Sequence, residues 1–297
     1  MSRPFLLHFF TPAKHASPFD INMAYDAGWQ AVIPYGEVQL EEVAGLVQDA
    51  IFSRGPKGAR ATGLFIGGRD VALALDMLER ARGAMVPPFE VSVCVDPSGG
   101  FTTAAAMLAA VERQLRRVHH ASLAGMRVLV VGGTGPVGSV VGVLAARAGA
   151  EVALVGRHGA ESVAAALRER FQVALDGVSA DSDQRRTELL QSADVVLATA
   201  KAGVQVLSAA QLAGAPRLKV AADVNAVPPL GLEGVGPMDD GVPIRGSASG
   251  AVGIGALAIG NVKYRVQQTL LTQMREAEKA VFLSFEQAFD VARAHAS

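Results

Sequence analysis

The chain has 297 residues, 50% of them hydrophobic and 19% charged, with 32 glycines and few aromatics, a make-up that suits a globular protein with material for two domains. A formal net charge of -1 leaves no global field to gather nucleic acid or an anionic membrane surface, so neither is expected as a partner. The single cysteine, Cys94, excludes an intrachain disulfide framework and a cysteine-built zinc site; no metal site is expected.

Taken in chain order, short apolar runs alternate with stretches of helical period, the pattern of parallel βα units. Strands are predicted at Phe5 to Phe10, Trp29 to Tyr35, Thr62 to Gly67 and Phe89 to Val95, with helices between them and after the last. Ser17 before Pro18 forms an N-cap and first-turn pair, and Asp70 is placed to cap a later helix. Cys94 sits among apolar neighbours and reads as a buried strand thiol. The basic stretch Arg116 to Met126 reads as a linker, with His119 and His120 adjacent and therefore pointing apart as a solvated pair. A second alternation follows at MRVLVV, AEVALVG, ADVVLATA and RLKVAADV, and from about Lys263 to Ala296 the chain has helical periodicity and no strand signal. The longest apolar run, Ser249 to Gly260, is interrupted by glycines and too short to span a bilayer, and the N-terminus lacks the pattern of a secretory signal; a cytoplasmic protein is expected.

The expected fold class is α/β: an N-terminal open α/β substrate domain over residues 1–118, a nucleotide-binding domain over 119–265, and a C-terminal helical segment over 266–297 that packs back on the body. An isolated amphipathic helix of this kind would be marginal.

Gly133-Thr134-Gly135-Pro136-Val137-Gly138 lies between an apolar strand and an Ala/Val-rich helix, with the next strand arriving at Glu151. That arrangement fits a Rossmann dinucleotide turn. Gly133 is expected to make the tight turn, Gly135 to let the backbone approach the pyrophosphate, and Gly138 to let helix and strand pack closely, with the helix N-terminus facing the phosphates. At the end of the following strand, where an acid would bind the ribose 2′-OH of NAD, stand Arg157 and His158. A guanidinium there grips a 2′-phosphate, so NADP is the preferred nucleotide, with NAD also accepted. Arg157 stacked on adenine or merely solvated is the alternative.

SPFDINMAYDAG, TGLFIGGRD, DPSGGFTTAAAM, GGTGPVG, ADVNAVPPLG and GIGALAIGNVKY occur in order over essentially the whole chain. This set resembles the bacterial NAD(P)-dependent methylene-tetrahydromethanopterin dehydrogenases. The resemblance implies hydride transfer from N5,N10-methylene-tetrahydromethanopterin to NAD(P)+, giving the methenyl form in one-carbon metabolism, and a homo-oligomer, a trimer. It also leaves methylene-tetrahydrofolate as an alternative substrate, since relatives act on it. A different nucleotide-dependent dehydrogenase or a non-catalytic NADP sensor remains a rival reading of the glycine loop alone.

Hydride loss from a methylene bridge between two nitrogens is driven by a nitrogen lone pair and needs no strong general base. Lys263 matches a lysine of the family pattern and is expected to tune charge near the reacting centre, the small residues before it allowing the backbone close to the cofactor. The aminopyrimidinone edge of a pterin calls for a carboxylate. Asp20 and Asp96 are the candidates, each alternatively an early-helix acid or a cap, and the strand-end position favours Asp96. Thr102 and Thr103 either bind a polar ligand or cap the helix they open. Asn225, after another strand, is expected to bond the nicotinamide carboxamide, or else to shape its loop.

Overall fold

A computed structural model describes residues 3–296. The chain divides into two compact units, one formed by Met1–Thr102 with Tyr264–Val291, the other by Thr103–Lys263 with Ala292–Ser297. The division thus falls early in a helix rather than at 118/119, and the C-terminal residues are shared between the units.

The first unit begins β1 (Leu6–Phe10), α1 (Pro18–Asp26), β2 (Ala31–Tyr35), α2 (Val43–Phe52), α3 (Gly55–Ala59), β3 (Thr62–Ile66), α4 (Val71–Gly83) and β4 (Ser92–Val95). A 3-10 turn, Pro97–Gly99, then leads into α5 (Gly100–His119), which crosses the division. Ser17 Oγ accepts from the Asp20 amide and Asp70 Oδ1 from the Leu73 amide, so both expected caps form. β3 and β4 are buried along their whole length, as parallel strands covered on both faces must be. Cys94 lies there, fully buried, and burial first, then the negative charges of Asp96 and Asp20, push its thiol well above the usual range.

The second unit continues with β5 (Arg127–Val131), α6 (Pro136–Arg147), β6 (Glu151–Gly156), α7 (Ala160–Phe171), β7 (Leu175–Ser179), α8 (Asp183–Leu190), β8 (Val195–Ala198), α9 (Ala209–Ala213), β9 (Val220–Asp223), β10 (Asp240–Pro243) and β11 (Val252–Ile254). Its seven-stranded sheet runs β10-β11-β9-β8-β5-β6-β7, parallel except for β10. Read from β7, this is the doubly wound order whose reversal lies beside the first strand, between β5 and β8. Asp194, 3% exposed, pins the lower edge of this sheet: it accepts from the Arg127 amide, Lys219 Nζ and Arg217. The expected linker is helical to His119, whose half-buried ring donates to the Lys219 carbonyl, while His120 is exposed.

The C-terminal stretch departs from expectation. It forms α10 (Ala256–Glu276), a two-residue strand β12 (Phe282–Leu283) and α11 (Phe285–Ala296). β12 extends the first unit's sheet to the order β12-β4-β3-β1-β2 by pairing in parallel with Val93 and Cys94. Two residues carry no period, so the strand is defined by its partner rather than by its own sequence. β7 and β10 were likewise unmarked, being edge strands with few apolar side chains. No helix among the described residues is long and apolar enough to cross a membrane.

Candidate functional site

The glycine loop connects β5 to α6. Gly132 holds the left-handed backbone (φ +82), and a Cβ there would lie 2.6 Å from the Ala200 amide nitrogen. The tight turn therefore belongs to Gly132, one residue earlier than expected; Gly133 is excluded from substitution by contact instead, its Cβ meeting the Val130 carbonyl oxygen at 2.8 Å. Gly138 has the expected packing role, since its Cβ would strike Gly133 Cα at 2.6 Å and Thr199 Oγ1 at 2.7 Å. Gly135 differs from these three. A Cβ there would find only the Gly132 carbonyl oxygen, at 3.7 Å, leaving open space above the loop. It is also the N-cap of α6 and offers no side chain to the first-turn amides, while Pro136 takes the first helical position. Backbone N–H groups at that end remain available to an anion.

A pocket of about 540 Å³ opens over this loop, within the usual size range of ligand sites. Gly132, Thr134 and Gly135, after the central strand β5, lie in its middle, with Val155, Gly156 and Arg157 on the β6 side and Thr199, Ala200 and Lys201 on the β8 side. Gly133, Pro136, Val137, Gly138 and His158 are not among its walls; the first four support the loop and helix, and His158 is exposed beside Arg157. Ala180, Asp181 and Arg186, from the segment after β7, complete the charged end. None of these three was singled out in the sequence, because β7 itself carried no strand signal. Three cations and one acid thus line the pocket, and its loop, uncapped helix end and size fit a dinucleotide.

Asn225 is not presented to this pocket. It is 4% exposed, its Oδ1 accepts from the Gly203 and Val227 amides, and its Nδ2 donates to the Pro229 carbonyl. Asp223 in turn accepts from the Asn225 and Leu232 amides. Burial pushes the Asp223 carboxyl above its usual value despite those bonds. The expected carboxamide contact gives way to a loop-building role, since the amide is already committed to the turn it closes.

In the first unit Asp96 is fully buried, with Oδ1 accepting from the Phe101 and Thr102 amides and Oδ2 from Thr102 Oγ1 at 2.6 Å. It ties down the start of α5. The strand-end position predicts Asp96 as the pterin contact, but in the fold orphan amides at the helix start claim its carboxylate. Thr102 is 1% exposed and committed to the same network, whereas Thr103 is half-buried. Asp20, 6% exposed, accepts at 2.7 Å from Nε2 of the fully buried Gln267. Gln267 escaped notice in the sequence. The signal was its spacing, one turn beyond Lys263 on α10, which puts both side chains on one helical face. Lys263 itself is half-buried. Of the glycines before it, Gly253 and Gly255 serve packing against protein, since a Cβ on Gly255 would strike the Gly236 carbonyl oxygen and one on Gly253 would lie 3.1 Å from Val235, whereas a Cβ on Gly250 or Gly260 would meet nothing within 4 Å.

Comparison with known proteins bears on both units. Residues 18–98 match the family model described as methylene-tetrahydromethanopterin dehydrogenase, N-terminal. Over 97% of both chains the sequence is 45% identical to the NAD(P)-dependent methylenetetrahydromethanopterin dehydrogenase of Methylorubrum extorquens. It is also 32% identical to the Bifunctional protein MdtA of the same organism, over 95% of this chain and 96% of that one. Among solved structures, the quinate dehydrogenase of Corynebacterium glutamicum in complex with NAD aligns with a TM-score of 0.55 at 12% identity, covering 97% of this chain and 98% of that one. The NAD-dependent malic enzyme of Thermotoga maritima aligns at 0.58 and 11% identity, covering 99% and 85%. At such identities these two similarities concern the fold, a two-domain α/β dehydrogenase architecture.

Proposed function

Because the chain belongs to the methylene-tetrahydromethanopterin dehydrogenase family, we propose that it oxidises N5,N10-methylene-tetrahydromethanopterin to the methenyl form with NAD(P)+ as acceptor. The observation that carries this reading is near-complete coverage at 45% identity, together with a glycine-loop pocket suited to the nucleotide. Bound NAD(P)+ supplies the hydride acceptor, nicotinamide C4. One hydride leaves the methylene carbon with its electron pair and the pterin keeps the positive charge, so no proton is abstracted by the protein.

The protein's part is binding, orientation and electrostatics. Gly135 and the N-terminus of α6 receive the pyrophosphate, and Arg157 takes the 2′-phosphate, giving NADP preference with NAD as a weaker alternative. Asp20, oriented by Gln267, accepts from the aminopyrimidinone edge of the pterin; Thr103, next to Thr102 in sequence on α5, contributes a hydroxyl, and Asp96 and Thr102 hold the start of that helix. Lys263 adjusts charge where the cationic product forms. A homo-oligomer, a trimer, is part of the same proposal.

Parallel steady-state assays with methylene-tetrahydromethanopterin and methylene-tetrahydrofolate, each with NADP+ and NAD+, test it. Turnover is expected with the methanopterin; none with either pterin would overturn the reading. Lys263→Met is expected to lower kcat at least about tenfold, about 1.4 kcal/mol of transition-state stabilisation; unchanged kinetics in a folded variant would remove Lys263 from the site.

A further inference from the structure

β6 and β7 run parallel in a register that pairs Gly156 with Ser179. The next residue on each side, Arg157 and Ala180, lines the nucleotide pocket. The Ala180 amide donates to the Gly156 carbonyl at 2.8 Å. On the Ala180 carbonyl sits Nη1 of Arg186, at 3.3 Å. The two guanidinium-bearing segments are therefore stitched together at one strand end, and both arginines line the same pocket.

The present partners of Arg186 leave it incompletely satisfied. Nη2 donates to Asp183 Oδ1 at 2.5 Å, an i,i+3 pair on α8 in which the Asp183 side chain is 84% exposed. Such a pair, half in water, holds its cation weakly. Nε of Arg186 is buried with no hydrogen-bond partner. A buried donor left unmet is unfavourable and is relieved by any nearby acceptor with spare lone pairs. Of the nearby acids, Glu161 accepts from the Ser179 amide and Oγ and does not line the pocket, while Asp181 does line it and is outnumbered there by Arg157, Arg186 and Lys201.

We propose that Arg186 is a second specificity residue for the nucleotide, a guanidinium that leaves Asp183 to bind the 2′-phosphate opposite Arg157, with Asp183 as its internal competitor. This rests on the NADP preference argued above. A phosphate presents several acceptor oxygens and about two charges, more than one exposed carboxylate offers, so the exchange favours the ligand. With NAD the acceptor is missing and Arg186 stays on Asp183.

Calorimetric titration of the full-length protein with adenosine 2′,5′-bisphosphate and with adenosine 5′-monophosphate reads binding without turnover. Arg186→Met is expected to weaken the bisphosphate about tenfold or more and leave the monophosphate within about twofold, the size of one lost charge-assisted contact. Asp183→Asn is expected to tighten the bisphosphate about threefold, and to have no effect when Arg186 is already Met. Arg186→Lys, which keeps the charge but not the fork, should fall between, and stands in if the methionine variant does not fold. Equal weakening of both ligands would make Arg186 a support for pocket shape, and unchanged binding of both would make it an ordinary helix residue; either overturns the proposal. Failure of the parent reading looks different: the unmodified protein would then bind the bisphosphate no more tightly than the monophosphate.

Discussion

In the second unit the nucleotide pocket opens over a backbone turn, with Gly132 and Gly135 in its wall, Gly135 serving also as the N-cap of α6, and with charged side chains gathered at one end. In the first unit the polar groups are side chains, buried and already bonded to one another: Asp96 to the start of α5, Asp20 to Gln267. A site made of backbone needs small residues at set spacings and tolerates no others. A site made of side chains needs only that several residues, distant in sequence, arrive together, and each of them has another structural use.

That contrast can be broken at its strongest point by Gly138→Val. Its added atoms meet backbone at 2.6 Å on Gly133 Cα and 2.8 Å on the Gly132 carbonyl oxygen, neither of which can swing aside. A loss of about 3 kcal/mol of stability is expected in urea titration; a loss well under 1 kcal/mol would show that the loop is more yielding than its packing implies.

Asp96→Ala should cost about 2 kcal/mol, because two amides and a hydroxyl at the start of α5 lose their acceptor. If it instead left stability unchanged and raised only the KM for the pterin, the carboxylate would be a ligand contact after all.

Gly135→Ala sharpens the comparison from the other side. Its methyl has room in the protein, the Gly132 carbonyl oxygen being 3.7 Å away, so stability should fall by about 1 kcal/mol or less. NADP+ affinity measured by calorimetry should drop about tenfold or more, since the methyl occupies the path of the pyrophosphate. Undiminished affinity would take Gly135 out of the phosphate site.

The smallest effect concerns acid. Burial raises the Asp194 carboxyl, but the Lys219 bond, the Arg127 amide and the charges of Lys219 and Arg217 outweigh it and hold its pKa below the usual value. A carboxyl depressed in the folded state contributes stability that is full above its unfolded pKa of about 4 and is lost as pH falls below that, through the lowered folded value. Unfolding free energies between pH 6 and pH 3 should therefore fall less steeply in Asp194→Asn than in the parent. Identical slopes would mean that Asp194 takes no part in acid sensitivity.

The strands that line both sheet centres were legible because buried parallel strands are continuous apolar runs; β3, β4, β5, β8 and β9 are of this kind. β7 and β12 were not, since one is a polar edge and the other two residues long, and with β7 went Arg186. Arg157 was legible for a local reason, its place at the end of β6. Asn225 and Asp96 were recognised as polar groups at strand ends, yet what they bind depends on which amides the fold leaves without partners.

By itself, the amino-acid sequence determined the α/β class, the caps at Ser17 and Asp70, and the position of the glycine loop, because each depends on residues within a few positions of one another. Its resemblance to one family also carried the substrate class. Tertiary structure alone decided that Gly132 makes the turn, that Asp96 and Asn225 are spent on their own loops, and that Gln267 meets Asp20 across 247 positions. Hydrogen-bond partners so far apart in the chain leave no periodic trace in it, since their meeting is a property of packing rather than of spacing.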